Sequence, residues 1–248
     1  MKTTFMTALI LVALLASSVA AQTQCTISNI HKLETKGAAI APRLAPDGSR
    51  VLFSRTKHRG AFVLDLKSGA IETVLGAAES GYRAHWTAKN SVALSAPIQR
   101  SADTGCTYYG EDDVVWQECD GKRTSLSSGE DRYFAPLVSP DGRWLAYRGL
   151  TTGLHLADLT AGTIRHLGRG AKPAWSPDSK QLLFNVSQDD GLSITQSDLW
   201  LFDVQHSRLV RLTSTTDRSE MAPTLSGTTL VYEDQNALLS AQISCSVK

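Results

Sequence analysis

FAPLVSPDGRWLAYRG, residues 134–149, sets a proline three positions ahead of a Ser-Pro-Asp-Gly turn and follows the turn with the apolar triplet Leu145-Ala146-Tyr147. Asp-Gly between two apolar runs is a strong hairpin signal, because glycine takes the positive φ of a tight turn. The stretch recurs. APRLAPDGSRVLFSR from Ala41, KPAWSPDSKQLLFNV from Lys172 and APTLSGTTLVYED from Ala222 follow the same template, and RAHWTAKNSVALSA from Arg83 keeps the aromatic residue and the triplet without the turn. Repetition of this kind makes Asp47, Asp141 and Asp178 turn formers and argues for architecture over catalysis.

The triplets Val51-Leu52-Phe53, Val92-Ala93-Leu94, Leu145-Ala146-Tyr147, Leu182-Leu183-Phe184 and Leu230-Val231-Tyr232 do not alternate with polar residues. Strands of this composition are expected to be covered on both faces. A second pattern follows the hairpins in AFVLDLKSGAIETVLG from Ala61, GLHLADLTAGTIRHLG from Gly153 and DLWLFDVQHSRLVRLT from Asp198. DDVVWQECDGKRTSLSS from Asp112 is a looser copy. Each is an alternating strand ending in an apolar-Asp-apolar triple, a turn that Asp65, Asp158 or Asp203 can bond, and another strand. Four antiparallel strands in about 37 to 52 residues are the content and period of a propeller blade.

The Pro-x-x-Ser-Pro-Asp-Gly turn, its apolar triplet and the apolar-Asp-apolar strand resemble the WD40-like β-propeller repeat of the TolB type, over nearly the whole chain from about Ala39. The resemblance implies an all-β fold. Hairpins near Pro42, Ala84, Pro136, Pro173 and Pro223 predict a single propeller of five four-stranded blades. The last hairpin is followed by residues for only one more strand, so the segment 25–37 is expected to supply the fourth. Cys245 and Cys25 then meet where other blades have a covalent turn, and Cys106 pairs with Cys119 in the second blade. Four cysteines allow three pairings, and crossed bonds would mean a different blade assignment.

The chain has 248 residues, 42% apolar and 20% charged, with a formal net charge of +1. Near-neutrality without a Lys/Arg run gives no nucleic-acid footprint. Residues 1–21 combine one lysine, a short apolar run and small residues, the pattern of a secretory signal peptide, and are short for a membrane span. The expected product is a periplasmic or secreted monomer of residues 22–248, not inserted in a membrane and with its cysteines oxidised. Cys25 stands too far behind the cleavage site for a lipid anchor.

No nucleophile elbow, P-loop or metal-spaced histidine pair is present, so no cofactor and no metal are expected. Glu111-Asp112-Asp113 and Asp189-Asp190-Gly191 carry carboxylates without the ligand alternation of a calcium loop. A glycosidase reading would draw on Glu79, Glu130, Asp131, Asp217 and Glu220, the acids ahead of inner strands. The favoured reading is a binding module for a protein or peptide. The loops entering the inner strands bring Tyr82, Arg83, Arg132, Tyr133, Arg169, Lys172, Arg218 and Glu220 to one channel mouth, and Tyr and Arg are frequent interface anchors.

Overall fold

The computed structural model describes residues 23–76, 81, 84–94, 99–101 and 104–247, and the expected leader lies outside them. Apart from a 3-10 turn at Thr56–His58, the regular structure is all β. Strand β1 (Thr23–Lys32) precedes a four-stranded antiparallel sheet of β2 (Ile40–Leu44), β3 (Arg50–Arg55), β4 (Arg59–Asp65) and β5 (Ile71–Leu75). A two-stranded hairpin, β6 (His85–Trp86) and β7 (Val92–Ala93), comes next. It is followed by a sheet of β8 (Gln99–Arg100), β9 (Thr107–Glu111), β10 (Val114–Cys119) and β11 (Lys122–Ser125).

Two further sheets follow in sequence order. One is β12 (Tyr133–Val138), β13 (Trp144–Gly149), β14 (Gly153–Asp158) and β15 (Thr163–His166); the other is β16 (Gly170–Trp175), β17 (Gln181–Asp189), β18 (Ile194–Asp203) and β19 (Arg208–Arg211). The last sheet joins both ends of the chain: β20 (Glu220–Ser226), β21 (Thr229–Asp234) and β22 (Ala237–Val247) are completed by β1, which pairs antiparallel with β22. Cys25 lies directly opposite Cys245 in that pairing, and the two are disulfide-bonded. The other disulfide is Cys106–Cys119.

The turn motif earns its residues. Ser139 Oγ donates to Asp141 Oδ1 at 2.5 Å, and the same carboxylate accepts the Arg143 N–H at 3.1 Å. Ser176 and Asp178 repeat the bond at 2.6 Å. Gly142 takes φ 74° at the turn, whereas the shortened copy puts Ser179 there at φ 61°. Asp65, Asp158 and Asp203 each accept two N–H groups of the following turn, closing the hairpin between the third and fourth strands. The template proline marks a bulge in the first strand. The residue before it, Ala41, Ala135, Lys172 or Ala222, has φ between 47° and 52°, and the register slips at that point in all four copies. A proline on an edge strand gives up no ladder hydrogen bond.

Triplet packing follows one rule. The first and third residues face the preceding sheet, and the middle one faces the following sheet. Leu145 and Tyr147 pack on Tyr108 and Val115, while Ala146 meets Leu182 and Phe184. Leu183 meets Leu230 and Tyr232, Val231 meets Val51 and Phe53, and Leu52 meets Ala84, Trp86 and Val92. The β8–β11 sheet, the three sheets after it, the β2–β5 sheet and the β6–β7 hairpin thus pack in that succession, with the C-terminal sheet against the N-terminal one. Twelve triplet residues in the four good copies are at most 2% exposed.

Two sequence expectations change. Among the described residues the worn copy near Ala84 forms the two-stranded β6–β7 hairpin, and Leu94 of its triplet is 40% exposed. The stretch expected to complete that unit is a sheet in its own right. Its turn keeps the template's length with the glycine one position later: Ser101 N donates to Cys106 O and Gly105 N to Ser101 O, as Ser139 N donates to Trp144 O and Gly142 N to Ser139 O. Ala96-Pro97 and Ser101 are the signal for this copy, stretched where its Asp103 and Gly105 are spaced apart.

Candidate functional site: the inner edge and its mouth

The first strands of the sheets run side by side. Trp86 Nε1 donates to Arg43 O at 2.7 Å and Trp175 Nε1 to Leu137 O at 3.1 Å. Leu44 N donates to Thr224 Oγ1 at 3.1 Å, and Val138 N donates to Gln99 Oε1 at 2.9 Å. Position 1 after each triplet, held by Ser54, Arg148, Asn185 and Glu233, emerges at this inner edge, where a polar side chain can reach the neighbouring bulge. Glu233 is 5% exposed and links three sheets: it accepts the Ala41 N–H at 3.0 Å and faces Lys172 Nζ at 3.9 Å. Asn185 Oδ1 accepts the Ala222 N–H in the same way. Arg148 cannot accept a hydrogen bond. Its guanidinium lies over Phe134 at 5.2 Å, and its buried Nε has no hydrogen-bond partner among the described residues.

His58 joins this edge from the 3-10 turn. Burial first, then Arg43 and Lys172, holds its imidazole below the ordinary range, against the opposing pull of Glu233. Arg43 and Lys172 therefore share the surroundings of His58 with the Glu233 carboxylate, and Arg148 adds a further cation to the edge.

The expected mouth residues divide. Arg132, Arg169 and Arg218 are exposed, with side chains 68%, 79% and 44% accessible, and face Asp113, Asp189 and Asp234 at 3.8, 4.0 and 3.7 Å. Lys172 faces Glu233 as described. Tyr133 is turned inward, 7% exposed, with its hydroxyl donating to Ser128 O at 2.8 Å and its ring edge-on to Tyr147. Glu220 is 2% exposed. Tyr82 and Arg83 lie outside the described residues. Arg43, His58, Arg148 and Glu233 escaped the sequence reading. A polar residue directly after a buried triplet marks two of them.

The acids considered for catalysis are placed differently from one another. Asp131 accepts the N–H groups of Arg132, Thr151 and Thr152 and the Thr152 hydroxyl at 2.5 Å. Those bonds hold its carboxyl far below the usual range although burial pushes the other way. Glu130 and Asp217 are exposed, and Glu79 is outside the described residues. Glu111 pairs with Arg123, and Asp190 caps its own turn through Leu192 N and Ser193 N. No group of three or more His, Cys, Asp or Glu among the described residues is arranged to hold a metal ion.

Glu220 has the opposite shift. Burial raises its carboxyl, and the carboxylates of Asp234 and Asp198 add to the effect. A group whose proton is held more tightly in the folded chain stabilises fully below its ordinary pKa, and that stability is lost as pH rises through the raised value. Glu220→Gln fixes the neutral form. Thermal unfolding of both chains should therefore coincide near about pH 4 and diverge in favour of the variant toward about pH 8. A variant less stable than the wild type at the upper pH would show that Arg218 holds the carboxylate instead.

No protein-family model matches the chain, and no curated protein does. Among solved structures, the Myceliophteria thermophila Cps50 (Swd1) β-propeller domain aligns with TM-score 0.49 at 10% identity, over 89% of this chain and 100% of that one. A TolB-assigned protein from Agrobacterium tumefaciens aligns with TM-score 0.39 at 14% identity, over 92% of this chain and 100% of that one. The tricorn protease aligns with TM-score 0.46 at 16% identity over 85% of this chain, which spans 20% of the protease. The structural neighbours of this chain include TolB and WD40-type β-propeller domains.

Proposed function

We propose that the chain is an exported propeller that binds an acidic protein or peptide segment at the inner edge and mouth. Five four-stranded sheets and the β6–β7 hairpin would form its ring, with β1 completing the last sheet. The observation that carries the reading is the state of the mouth cations. Arg132, Arg169 and Arg218 meet their carboxylates only at 3.7 to 4.0 Å, the first two pairs largely in water and the third with Arg218 44% accessible over a mostly buried Asp234. Exposed pairs such as the first two contribute about 0 to 1 kcal/mol each, so exchanging them for a partner's carboxylates costs little. Arg43 and Lys172 continue the positive charge inward. Two disulfides fit the oxidising compartment that export would reach.

The test is recovery of partners from the native envelope or secretome on the immobilised mature chain, compared with an Arg132→Glu, Arg169→Glu, Arg218→Glu variant. All three side chains are exposed, so the variant should fold, as its thermal unfolding will show. Partner recovery should fall about tenfold or more and the residual binding should lose its salt dependence. Equal recovery from both chains would overturn the site. Among the described acids of the glycosidase reading, Asp131 is committed to its loop and Glu220 is closed to solvent.

A further inference from the structure

We propose that Arg148 and Lys172 form a carboxylate-binding site at the inner edge, where the β12–β15 and β16–β19 sheets meet, and that an Asp or Glu side chain of the acidic segment fills it. The source of the carboxylate rests on the binding reading above. The site itself rests on the repeat, which supplies its own controls.

The residue after each triplet attends the bulge that opens the next sheet. Glu233 accepts the Ala41 N–H at 3.0 Å, and Asn185 Oδ1 accepts the Ala222 N–H at 3.4 Å. In the β8–β11 sheet Gly110 holds this position, and a Cβ added to it would stand 3.9 Å from Ala135 N. The remaining pairing of the same two positions is Arg148 with Lys172. It departs from the pattern twice: a guanidinium replaces the acceptor, and a lysine replaces the alanine of the other three bulges. Both changes add a cation at one junction.

Neither cation is satisfied within the chain. Arg148 lies directly opposite Phe134 in the ladder, and its guanidinium rests over that ring at 5.2 Å, which fixes the plane of the fork. Its Nε is buried without a hydrogen-bond partner, and no ion pair or hydrogen bond among the described residues engages the rest of the group. Native proteins rarely keep a buried donor that no ligand, ion or water meets. Lys172 Nζ reaches Glu233 at 3.9 Å, too far for a hydrogen bond, and its side chain is 48% accessible. Arg43 acts together with Lys172 on the His58 imidazole, so positive charge here exceeds what Glu233 balances. A carboxylate suits this set, because its two oxygens can accept from a planar guanidinium while an ammonium adds a point charge.

Nitrogen-15 spectra of the arginine Nε–H groups test the site on the mature chain, with sodium acetate replacing sodium chloride at constant ionic strength. The Arg148 signal, identified by its loss in Arg148→Gln, should shift saturably. Lys172→Ala and Arg148→Gln restore the alanine and the side-chain acceptor of other copies, so both should unfold thermally as the wild type does. Lys172→Ala should weaken acetate about tenfold or more. Calorimetry with tetraglutamate should give at least about tenfold tighter binding than acetate, because its further carboxylates reach the mouth cations, and Arg148→Gln should remove most of that affinity. The Arg132→Glu, Arg169→Glu, Arg218→Glu variant keeps both site residues, so its acetate shift should match the wild type. No saturable acetate shift, a shift unchanged by Lys172→Ala, or a shift lost in the mouth variant would each overturn the site. Tetraglutamate no tighter than acetate would overturn the acidic segment as its source, in favour of a small free carboxylate. Partner recovery from the mouth variant bears on the mouth alone, so the two readings fail separately.

Discussion

Replacing Cys25 and Cys245 together by Ser is expected to lower the free energy of unfolding by roughly 5 kcal/mol, the largest stability effect available to a paired substitution here. The bond joins residues 220 positions apart, so in the unfolded chain it closes nearly the whole described length into one loop. Chain-entropy loss grows with the logarithm of loop size, and measured gains often fall below it, so this figure is an upper one. The corresponding figure for Cys106–Cys119, separated by 13, is about 3 kcal/mol.

A second property of β1 raises the effect. Residues 28–32 of the strand are exposed, and Ile27 and Cys25 are its contacts with the apolar cluster of the last sheet. Without the disulfide the strand is held largely by its ladder with β22. Hydrogen exchange of residues 23–32 should then rise well before global unfolding, while urea denaturation reports the lost chain constraint. A loss under about 1 kcal/mol with unchanged exchange would mean that backbone pairing alone secures the strand.

The repeated turn was legible because its chemistry is local. Asp141 must accept nearby N–H groups and Gly142 must take a positive φ, whatever the rest of the chain does. The order in which sheets pack was legible too, since unbroken apolar triplets require cover on both faces. The sheet opened by β8 was harder to see: its proline stands one residue further from Ser101, its glycine one position later in the turn, and Cys106 follows where an apolar strand would announce itself.

The mouth was only half legible for a different reason. Arg132 and Arg218 lie in the loops just before their strands and are exposed, whereas Tyr133 and Glu220, the first residues of β12 and β20, are buried. Sequence places all four ahead of or at the start of inner strands, but the rotation of the loop into the strand decides which face each takes. The inner-edge residues Arg43 and Glu233 come from different sheets and meet only through tertiary packing, which no local pattern encodes.

Gly153→Ala should destabilise the chain by about 3 kcal/mol or more, from two sources that can be separated. Gly153 has φ +87°, and a Cβ there would stand 2.2 Å from Gly168 O and 3.0 Å from Arg169 Cα. The carbonyl has little room to retreat, because it accepts both Leu154 N and Gly170 N at 2.8 Å. Gly162 supplies the control: its φ is +65° and an added Cβ meets nothing within 4 Å. Gly162→Ala therefore carries only the left-handed backbone strain, about 1 to 2 kcal/mol. The difference between the two variants measures how firmly residues 168–170 are held against the start of β14. That segment bears Arg169, so the same substitution should weaken partner binding at the proposed mouth, whereas Gly162→Ala should not. Equal destabilisation by both would show that the 168–170 segment yields, and that Arg169 is carried on a movable support.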